Sequence, residues 1–431
     1  MILTLLILWL AAWQGPLMTS VEQDHTRSAV CLHGYEFMEI QDTPAPEGYE
    51  PFYISHYGRH GSRSNWGDKD YRYVIESLER EQAQNNLTAT GLQLLEETKA
   101  VLKAYDGMDG RLTDKGEREH KRLAERMYQR FEPVFTRGNH RIEAVGSQVQ
   151  RSIISMTAFC ISLNSKEPTL DFNFDTGAKM QRYIDCAGKV DETDMRAAID
   201  SLCNLIPDET DTMMSRLFVR PERVDTATKA TRLQDAVYWT AMVAEDFDLQ
   251  CDVYRYLSRP ATYKRMMKFT YDMSVPWIRI PGFYERRRPF VQVCMDDIIE
   301  KADQAIRQDT YCANLRFGHD IPLLTLVSAM GVSGVGETIT LGEIADKWFG
   351  WENVPMASNM QMIFYKPAKQ SAQDTSDETI LVKVLYNERE RTLSGLTPVS
   401  GPYYRWSDLK AMMTANIVHL TFCSVRITYN K

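Results

Sequence analysis

The sequence predicts an α/β protein with a central, mostly parallel sheet and an inserted α-helical cap domain. Three β-prone segments, Pro51 to Tyr57, Arg141 to Gly146 and Ala313 to Phe317, each lead through a polar loop into a helical pattern. Residues from about 170 to 307 instead follow a pattern of successive helices. The chain of 431 residues also exceeds what one hydrophobic core usually organises.

The first strand runs into a segment suited to phosphate, Gly58-Arg59-His60-Gly61-Ser62-Arg63. Arginine makes bidentate contacts to phosphate oxygens, and glycine lets the backbone approach a ligand closely. An imidazole between two guanidiniums can attack phosphorus when a backbone carbonyl holds its other nitrogen. The segment therefore predicts a phosphate site with His60 as nucleophile. A solvated basic turn is the alternative that the segment alone leaves open.

Two later strands also end in polar loops. Arg141 to Gly146 precedes Ser147, which is expected to cap the helix that carries Arg151. Ala313 to Phe317 precedes His319-Asp320 and an apolar helix. Ligands of α/β sheets collect at the carboxyl ends of strands and at helix N-termini, so the three loops are expected to converge. On local sequence, Arg151 could instead pair with a neighbouring carboxylate, and His319-Asp320 could be a helix cap.

Taken together, these motifs resemble the histidine phosphatase superfamily, in particular its acid phosphatase and phytase branch. Arg59 to Arg63 resembles the family signature, and His319-Asp320 resembles its late His-Asp pair. Leu112 to Glu117 resembles the run that opens a long helix, here predicted from about Asp114 to Phe135 with Thr113 as its cap. The segment from Ser147 through Arg151 to Ser155 resembles the one that supplies a third phosphate arginine.

The resemblance implies a histidine-phosphatase-like α/β/α sandwich with an inserted α-helical cap. It also implies a role for six residues: His60 as the nucleophile that forms a phosphohistidine, Asp320 as the proton donor, and Arg59, Arg63, Arg151 and His319 as the phosphate-binding pocket. No metal and no organic cofactor is expected. The His56 side chain, on the predicted strand, is left outside the catalytic set.

The implied activity is phosphomonoester hydrolysis, as in acid phosphatases and phytases. The expected partner is a small phosphate ester, with phytate and other inositol or sugar phosphates as candidates. A phosphotransferase or mutase on the same scaffold and a non-catalytic phosphate-binding protein are the alternatives. Two departures from the family pattern bear on substrate: Ser64 to Trp66 replace a proline-containing run of phytase-like members, and His319-Asp320 replaces the His-Ala-Glu of many inositol polyphosphate phosphatases.

Charge and hydropathy indicate where the protein works. A net charge of -8 and a pI near 5.6 argue against binding to nucleic acid. Ile2 to Trp13 is nearly all apolar, which predicts a signal peptide over residues 1–20 with an approximate cleavage zone at Thr19 and Ser20. The protein is then periplasmic or secreted, free of the membrane after cleavage. Residues 21–168 and 308–431 form the predicted catalytic core, and 169–307 the cap.

Cysteines and cap cations support less specific expectations. The eight cysteines include no CxxC pair and no Cys/His cluster at zinc spacing, so no structural metal site is expected and any disulfide pairing stays open. Cys160 and Cys312 lie in apolar runs typical of buried thiols. In the cap, six basic residues either bind further phosphates of a polyphosphorylated substrate or form a solvated face: Lys264, Arg265, Lys268, Arg286, Arg287 and Arg288.

Overall fold

The computed structural model describes residues 16–206, 211–368 and 376–415. Within these residues eight strands form a single sheet. The strands are β1 (Tyr49–Arg59), β2 (Arg141–Gly146), β3 (Asp171–Asp175), β4 (Ala313–Gly318), β5 (Asn359–Pro367), β6 (Leu381–Tyr386), β7 (Arg389–Glu390) and β8 (Tyr403–Arg405). Their order across the sheet is β3-β2-β4-β1-β5-β6-β7, and β8 pairs with β6.

The centre of the sheet is parallel. Strands β3, β2, β4 and β1 run in one direction, and the pairs from β1 to β5 outward are antiparallel. In the register, Arg59 at the end of β1 pairs with Gly318 at the end of β4. Gly146 at the end of β2 pairs with Phe317. The three predicted strands are therefore neighbours whose carboxyl ends lie side by side.

Sixteen α-helices connect the strands in the described residues. They are α1 (Pro16–Gln23), α2 (Lys69–Ala83), α3 (Ala89–Tyr105), α4 (Asp114–Thr136), α5 (Gln150–Lys166), α6 (Gln181–Ile184), α7 (Thr193–Cys203), α8 (Asp211–Leu217), α9 (Ala230–Ala244), α10 (Val253–Tyr256), α11 (Arg259–Ser274), α12 (Tyr284–Gln308), α13 (Asp320–Ala329), α14 (Ile344–Lys347), α15 (Gly350–Asn353) and α16 (Trp406–Ala415).

Helices cover both faces of the sheet. On one face Ile54 of β1 packs in a cluster with Leu123 of α4 and other residues of α4 and α5. On the other face Tyr53 packs in a cluster with Leu323 of α13 and residues of α12. Adjacent residues of a strand point to opposite sides, so Tyr53 and Ile54 belong to different layers. The predicted α/β class with a mostly parallel central sheet is confirmed, and its layers are those of an α/β/α sandwich.

A third apolar cluster lies in the helical part of the molecule. It joins α8, α9 and the start of α11 to α2 and α3, which precede the predicted cap in sequence. Strand β3 falls within residues 169–307, the range assigned to the cap, and adds an edge strand to the sheet. The domain boundaries at 168 and 308 stay a prediction.

The apolar segment Ile2 to Trp13 lies outside the described residues. Helix α1 follows it, and its Leu17 and Met18 side chains are buried in the same cluster as α12 and α13. No described helix combines the length and apolar character needed to cross a membrane.

The described cysteines are free thiols. Cys160 and Cys312 are buried, in agreement with the apolar runs that hold them. Cys423 lies outside the described residues.

Candidate active site

The six predicted site residues come together at the carboxyl ends of β1 and β4. His60, Arg63, Arg151, His319 and Asp320 line one open cleft, and Arg59 lies directly behind it, 2.8 Å from Asp320. Backbone hydrogen bonds between the strand ends fix the loops: the His60 amide donates to the Gly318 carbonyl at 3.0 Å. The sheet register thus brings the three loops together, as expected.

The His60 imidazole is neutral and is oriented by the backbone. Its Nδ1 lies 2.9 Å from the Gly61 carbonyl oxygen. Because a carbonyl only accepts, Nδ1 carries the proton and Nε2 keeps its lone pair. Burial lowers the pKa of His60 well below its usual range, and the nearby Arg59, His319, Arg151 and Arg63 lower it further. The predicted orientation of the imidazole by a backbone carbonyl is thus present.

Arg59 is fully buried and anchored on one side by the protein itself. Its Nη1 donates to the carbonyl oxygens of Cys31 at 2.5 Å and Val354 at 2.7 Å. Its Nη2 lies 2.8 Å from the carboxylate of Asp320, which lines the cleft. Two carbonyls, one from a segment before β1 in the sequence and one from a segment after it, therefore fix the guanidinium. Both contacts were missed at the level of sequence, because no side-chain pattern marks a carbonyl acceptor.

Arg63 and Arg151 lie close enough to influence each other. Burial and Arg59 lower the pKa of Arg63, and burial followed by Arg63 lowers the pKa of Arg151 to about 10. Arg151 Nη2 lies 3.4 Å from His319 Nδ1. Both guanidiniums stay charged at neutral pH, so the cleft concentrates positive charge beside His60.

His319 is neutral in the free protein. Burial and Arg151 lower its pKa to about 4, against the opposing effect of Asp320. Its Nε2 lies 3.0 Å from the Ser147 hydroxyl. Ser147 was expected to cap the following helix; that prediction is wrong, because α5 begins at Gln150 with Val149 as its N-cap and no side-chain cap bond. The Ser147 hydroxyl instead orients His319.

Two glycines allow the loop after β1 to lie directly on the start of α4. A Cβ on Gly61 would lie 2.5 Å from the Gly116 carbonyl oxygen, and one on Gly116 would lie 2.3 Å from the Ser62 carbonyl oxygen. Both distances are far below ordinary van der Waals contact. Thr113 caps α4 as predicted, its side chain accepting from the Gly116 amide. The first turn of α4 thus packs directly against the loop that carries His60.

Glu119, one turn further along α4, fastens the same loop. Its carboxylate accepts from the Ser62 amide at 2.7 Å, the Ser62 hydroxyl at 2.9 Å and the Tyr35 amide at 3.0 Å. Burial raises the pKa of Glu119, and the backbone donors of Ser62 and Tyr35 oppose the rise. Sequence reasoning missed Glu119; its position three residues after Gly116, on the same helix face, was the available signal.

Residues 58–387 match the model of the histidine phosphatase superfamily, branch 2. The chain belongs to this superfamily. It is 24% identical over 314 residues to the human multiple inositol polyphosphate phosphatase 1, covering 66% of this chain. The chain spans 62% of the length of that human relative.

Solved structures agree with the sandwich fold. A Bifidobacterium longum multiple inositol polyphosphate phosphatase complexed with phosphate has a TM-score of 0.71 at 17% identity, covering 90% of this chain and 98% of that one. The phytase from D. castellii has a TM-score of 0.64 at 12% identity, covering 91% and 85%. At these identities the likeness concerns the fold. The family and fold predicted from the motifs are confirmed.

His56 has a packing role. Its ring is buried against Phe159 and Phe317, with centroid distances of 5.5 and 5.2 Å. Burial lowers its pKa to about 3. It therefore lies in the core as a neutral aromatic ring, outside the cleft.

The six basic cap residues lie outside the lining of the cleft among the described residues. Arg286 pairs with Asp194 at 2.6 Å. Arg265 pairs with Asp235 at 2.9 Å, and Lys268 with Asp272 at 3.1 Å. Arg287 is buried, paired with Glu192 and stacked on Trp277. These four cations form ion pairs with carboxylates of the predicted cap itself.

One group of described residues has metal-ligand atoms close together: Asp24, His33 and Glu36. His33 donates from both nitrogens, to Glu36 at 3.1 Å and to Glu245 at 3.3 Å. Burial opposes protonation, yet the two glutamates raise the pKa of His33 to about 9. A protonated imidazole has no lone pair for a metal, so ion pairing accounts for this group.

Proposed function

We propose that this protein hydrolyses phosphate monoesters in two steps through a phosphohistidine at His60. The observation that carries the proposal is the 2.9 Å contact from His60 Nδ1 to its neighbouring carbonyl, which leaves Nε2 unprotonated inside a cluster of arginines. A buried neutral imidazole beside fixed cations is suited to attack on a phosphate, whose charge the cations stabilise.

In the first step, the Nε2 lone pair forms a bond to phosphorus and the phosphorus–ester oxygen bond breaks. The electron pair stays on the leaving oxygen, which takes a proton from Asp320. In the second step, water attacks phosphorus, the Asp320 carboxylate accepts its proton, and the phosphorus–nitrogen bond breaks. Inorganic phosphate leaves, and both side chains return to their starting states.

Asp320 has to be protonated for the first step, although its pKa is lowered in the free protein. Burial raises that pKa, and Arg59, His319, the Ile321 amide and Arg63 together lower it by more. A bound phosphate competes for the Arg59 guanidinium and adds negative charge beside the carboxylate. Both effects raise the pKa of Asp320 when substrate is present.

The test replaces His60 by alanine. We expect the variant to lose phosphate release from p-nitrophenyl phosphate by at least about a thousandfold, since the attacking atom is gone. Rapid quench of the wild type with a ³²P-labelled ester should trap acid-labile, base-stable label on the protein, and His60→Ala should trap none. His140→Ala, at the opposite end of β2, is the control. Residual turnover in His60→Ala near that of the control would overturn the proposal.

Inositol phosphates are the substrate class that we propose. The support is the similarity of this chain to multiple inositol polyphosphate phosphatases and to a phytase. Phosphate release from phytate, lower inositol phosphates, sugar phosphates and nucleotides, measured in parallel, tests it. Equal kcat/KM on all four groups would count against a preference for inositol. Adding glycerol as acceptor separates hydrolysis from phosphotransfer, because a transferase would make glycerol phosphate.

We further propose that the protein is exported, on the support of the apolar segment at residues 2–13. Cleavage after Ser20 would remove Leu17 and Met18, which are buried. We therefore expect a mature chain that begins upstream of Leu17. N-terminal sequencing of the exported protein tests this, and a chain that begins at Val21 with full stability would contradict it.

A further inference from the structure

Trp66 is an exposed tryptophan at the mouth of the cleft. It is 61% exposed and lines the cleft together with His60 and Asp320. A large aromatic side chain left in solvent needs an explanation, because burying it elsewhere would stabilise the fold.

Two of the cleft arginines lie over the Trp66 ring. The Arg63 guanidinium carbon is 4.8 Å from the ring centroid and the Arg151 guanidinium carbon is 4.4 Å. Both distances are within the range of cation–π attraction. One indole therefore contacts two side chains whose charges repel each other.

The Trp66 indole packs against the backbone at Gly110. A Cβ on Gly110 would lie 2.8 Å from ring atoms Cε3 and Cζ3, so glycine is needed for the ring to approach. The Gly110 amide donates to the Asn65 carbonyl at 2.7 Å, and Arg151 Nη1 donates to the Gly110 carbonyl at 3.3 Å. The loop around Gly110 thus holds Trp66 and Arg151 together.

The partners of the two arginines are unusual for buried cations. In the described part of the chain, their hydrogen bonds run to the carbonyls of Ser64 and Gly110 and to His319. A carboxylate would hold a guanidinium more tightly, but it would occupy the same N–H donors that a phosphate needs. The face of an indole attracts the cation without accepting those hydrogen bonds in the guanidinium plane.

We propose that Trp66 is a positioning residue that holds Arg63 and Arg151 together, with their N–H donors turned to the phosphate of the substrate. This inference rests on the proposed phosphatase function. It predicts that loss of the indole face weakens phosphate binding while the chemistry at His60, which Trp66 does not touch, changes little.

The experiment compares Trp66→Leu, Trp66→Phe and wild type. The readouts are kcat and KM on p-nitrophenyl phosphate and the inhibition constant of inorganic phosphate. For Trp66→Leu we expect KM and the phosphate inhibition constant to rise about tenfold, a change equal to about 1.4 kcal/mol, with kcat within about threefold of wild type. Trp66→Phe keeps a π face and should recover most of the loss. The substitution is at an exposed site, so folding is preserved.

A second readout follows the indole directly. Saturating inorganic phosphate should change tryptophan emission in wild type and in Trp239→Phe, which removes a tryptophan that packs edge-to-face against Phe269 in the predicted cap. The change should be clearly smaller in Trp66→Leu, where Trp277 still lines the cleft. Unchanged KM and phosphate inhibition in Trp66→Leu would overturn the inference. So would a fall in kcat at unchanged KM, or a Trp66→Phe variant no better than Trp66→Leu. If wild type itself releases no phosphate, the proposed function fails instead.

Discussion

Replacing Gly116 by alanine is the substitution whose consequence the structure defines most sharply. The added Cβ would lie 2.3 Å from the Ser62 carbonyl oxygen and 2.7 Å from the Ser62 nitrogen. Ordinary contact begins near 3.4 Å, so one backbone must move away by about 1 Å. Because α4 is a long packed helix and the loop is short, we expect the loop to move, and His60 lies two residues before Ser62.

The size of the effect follows from that displacement. A misplacement of about 1 Å at a reacting group can reduce catalysis about a hundredfold. Stability should change less: overpacking costs about 1–3 kcal/mol, and alanine gains about 1 kcal/mol over glycine inside a helix. We therefore expect kcat/KM to fall about a hundredfold while the free energy of unfolding falls by about 2 kcal/mol or less.

The assay pairs kcat/KM on p-nitrophenyl phosphate with urea unfolding. Gly342→Ala is the matched control, because a Cβ there meets nothing within 4 Å. It should leave both quantities near wild type. A Gly116→Ala variant that keeps wild-type kcat/KM would refute the view that backbone contact between α4 and the loop sets the position of His60.

Three further predictions concern protonation. Asp320→Asn should slow alkyl phosphates at least about tenfold more than p-nitrophenyl phosphate, because a poor leaving group needs the proton most; equal losses would count against a proton donor. Since the pKa of His60 is held well below its usual range, kcat/KM should not fall as the pH is lowered from 6.5 towards 4.5, and a tenfold loss per pH unit in that window would contradict a neutral nucleophile. The buried His56 has a pKa near 3, below the value of about 6.5 in the unfolded chain, so the folded state loses stability as pH falls below 6.5. His56→Phe should remove about 3 kcal/mol of that loss at pH 4.5 in urea unfolding, and an unchanged pH dependence would exclude His56 as its source.

The parts of the site that sequence predicts are those carried by one short segment each. Arg59, His60 and Arg63 stand in one run at a strand end, and His319-Asp320 stands at another. Their chemistry and their position at helix N-termini are both readable locally. The sheet register then brings the segments together, which alternation of strands and helices already indicates.

The parts that sequence does not predict depend on contacts between distant segments. Ser147 has the residue type and place of a helix cap, but its hydroxyl is taken by His319, 172 positions away. Strand β3 is short, and most of its residues are exposed at the sheet edge, so it lacks the apolar run of a buried strand. Trp66 and Glu119 act through Arg151 and Ser62, and no pattern along the chain marks those pairs.

In the proposed mechanism, the Arg59–Asp320 pair couples substrate binding to proton donation. In the free protein the carboxylate is 2.8 Å from a guanidinium whose other nitrogen is fixed by two carbonyls. Arg59 therefore cannot follow Asp320 if that side chain moves, and the donors left for a phosphate are Nη2 and Nε. A phosphate that takes Nη2 removes the interaction that keeps Asp320 ionised, and it brings negative charge to the same place. Binding of the substrate phosphate thus raises the pKa of Asp320, so that this side chain holds a proton for the leaving oxygen. Proton delivery is thereby restricted to the occupied site.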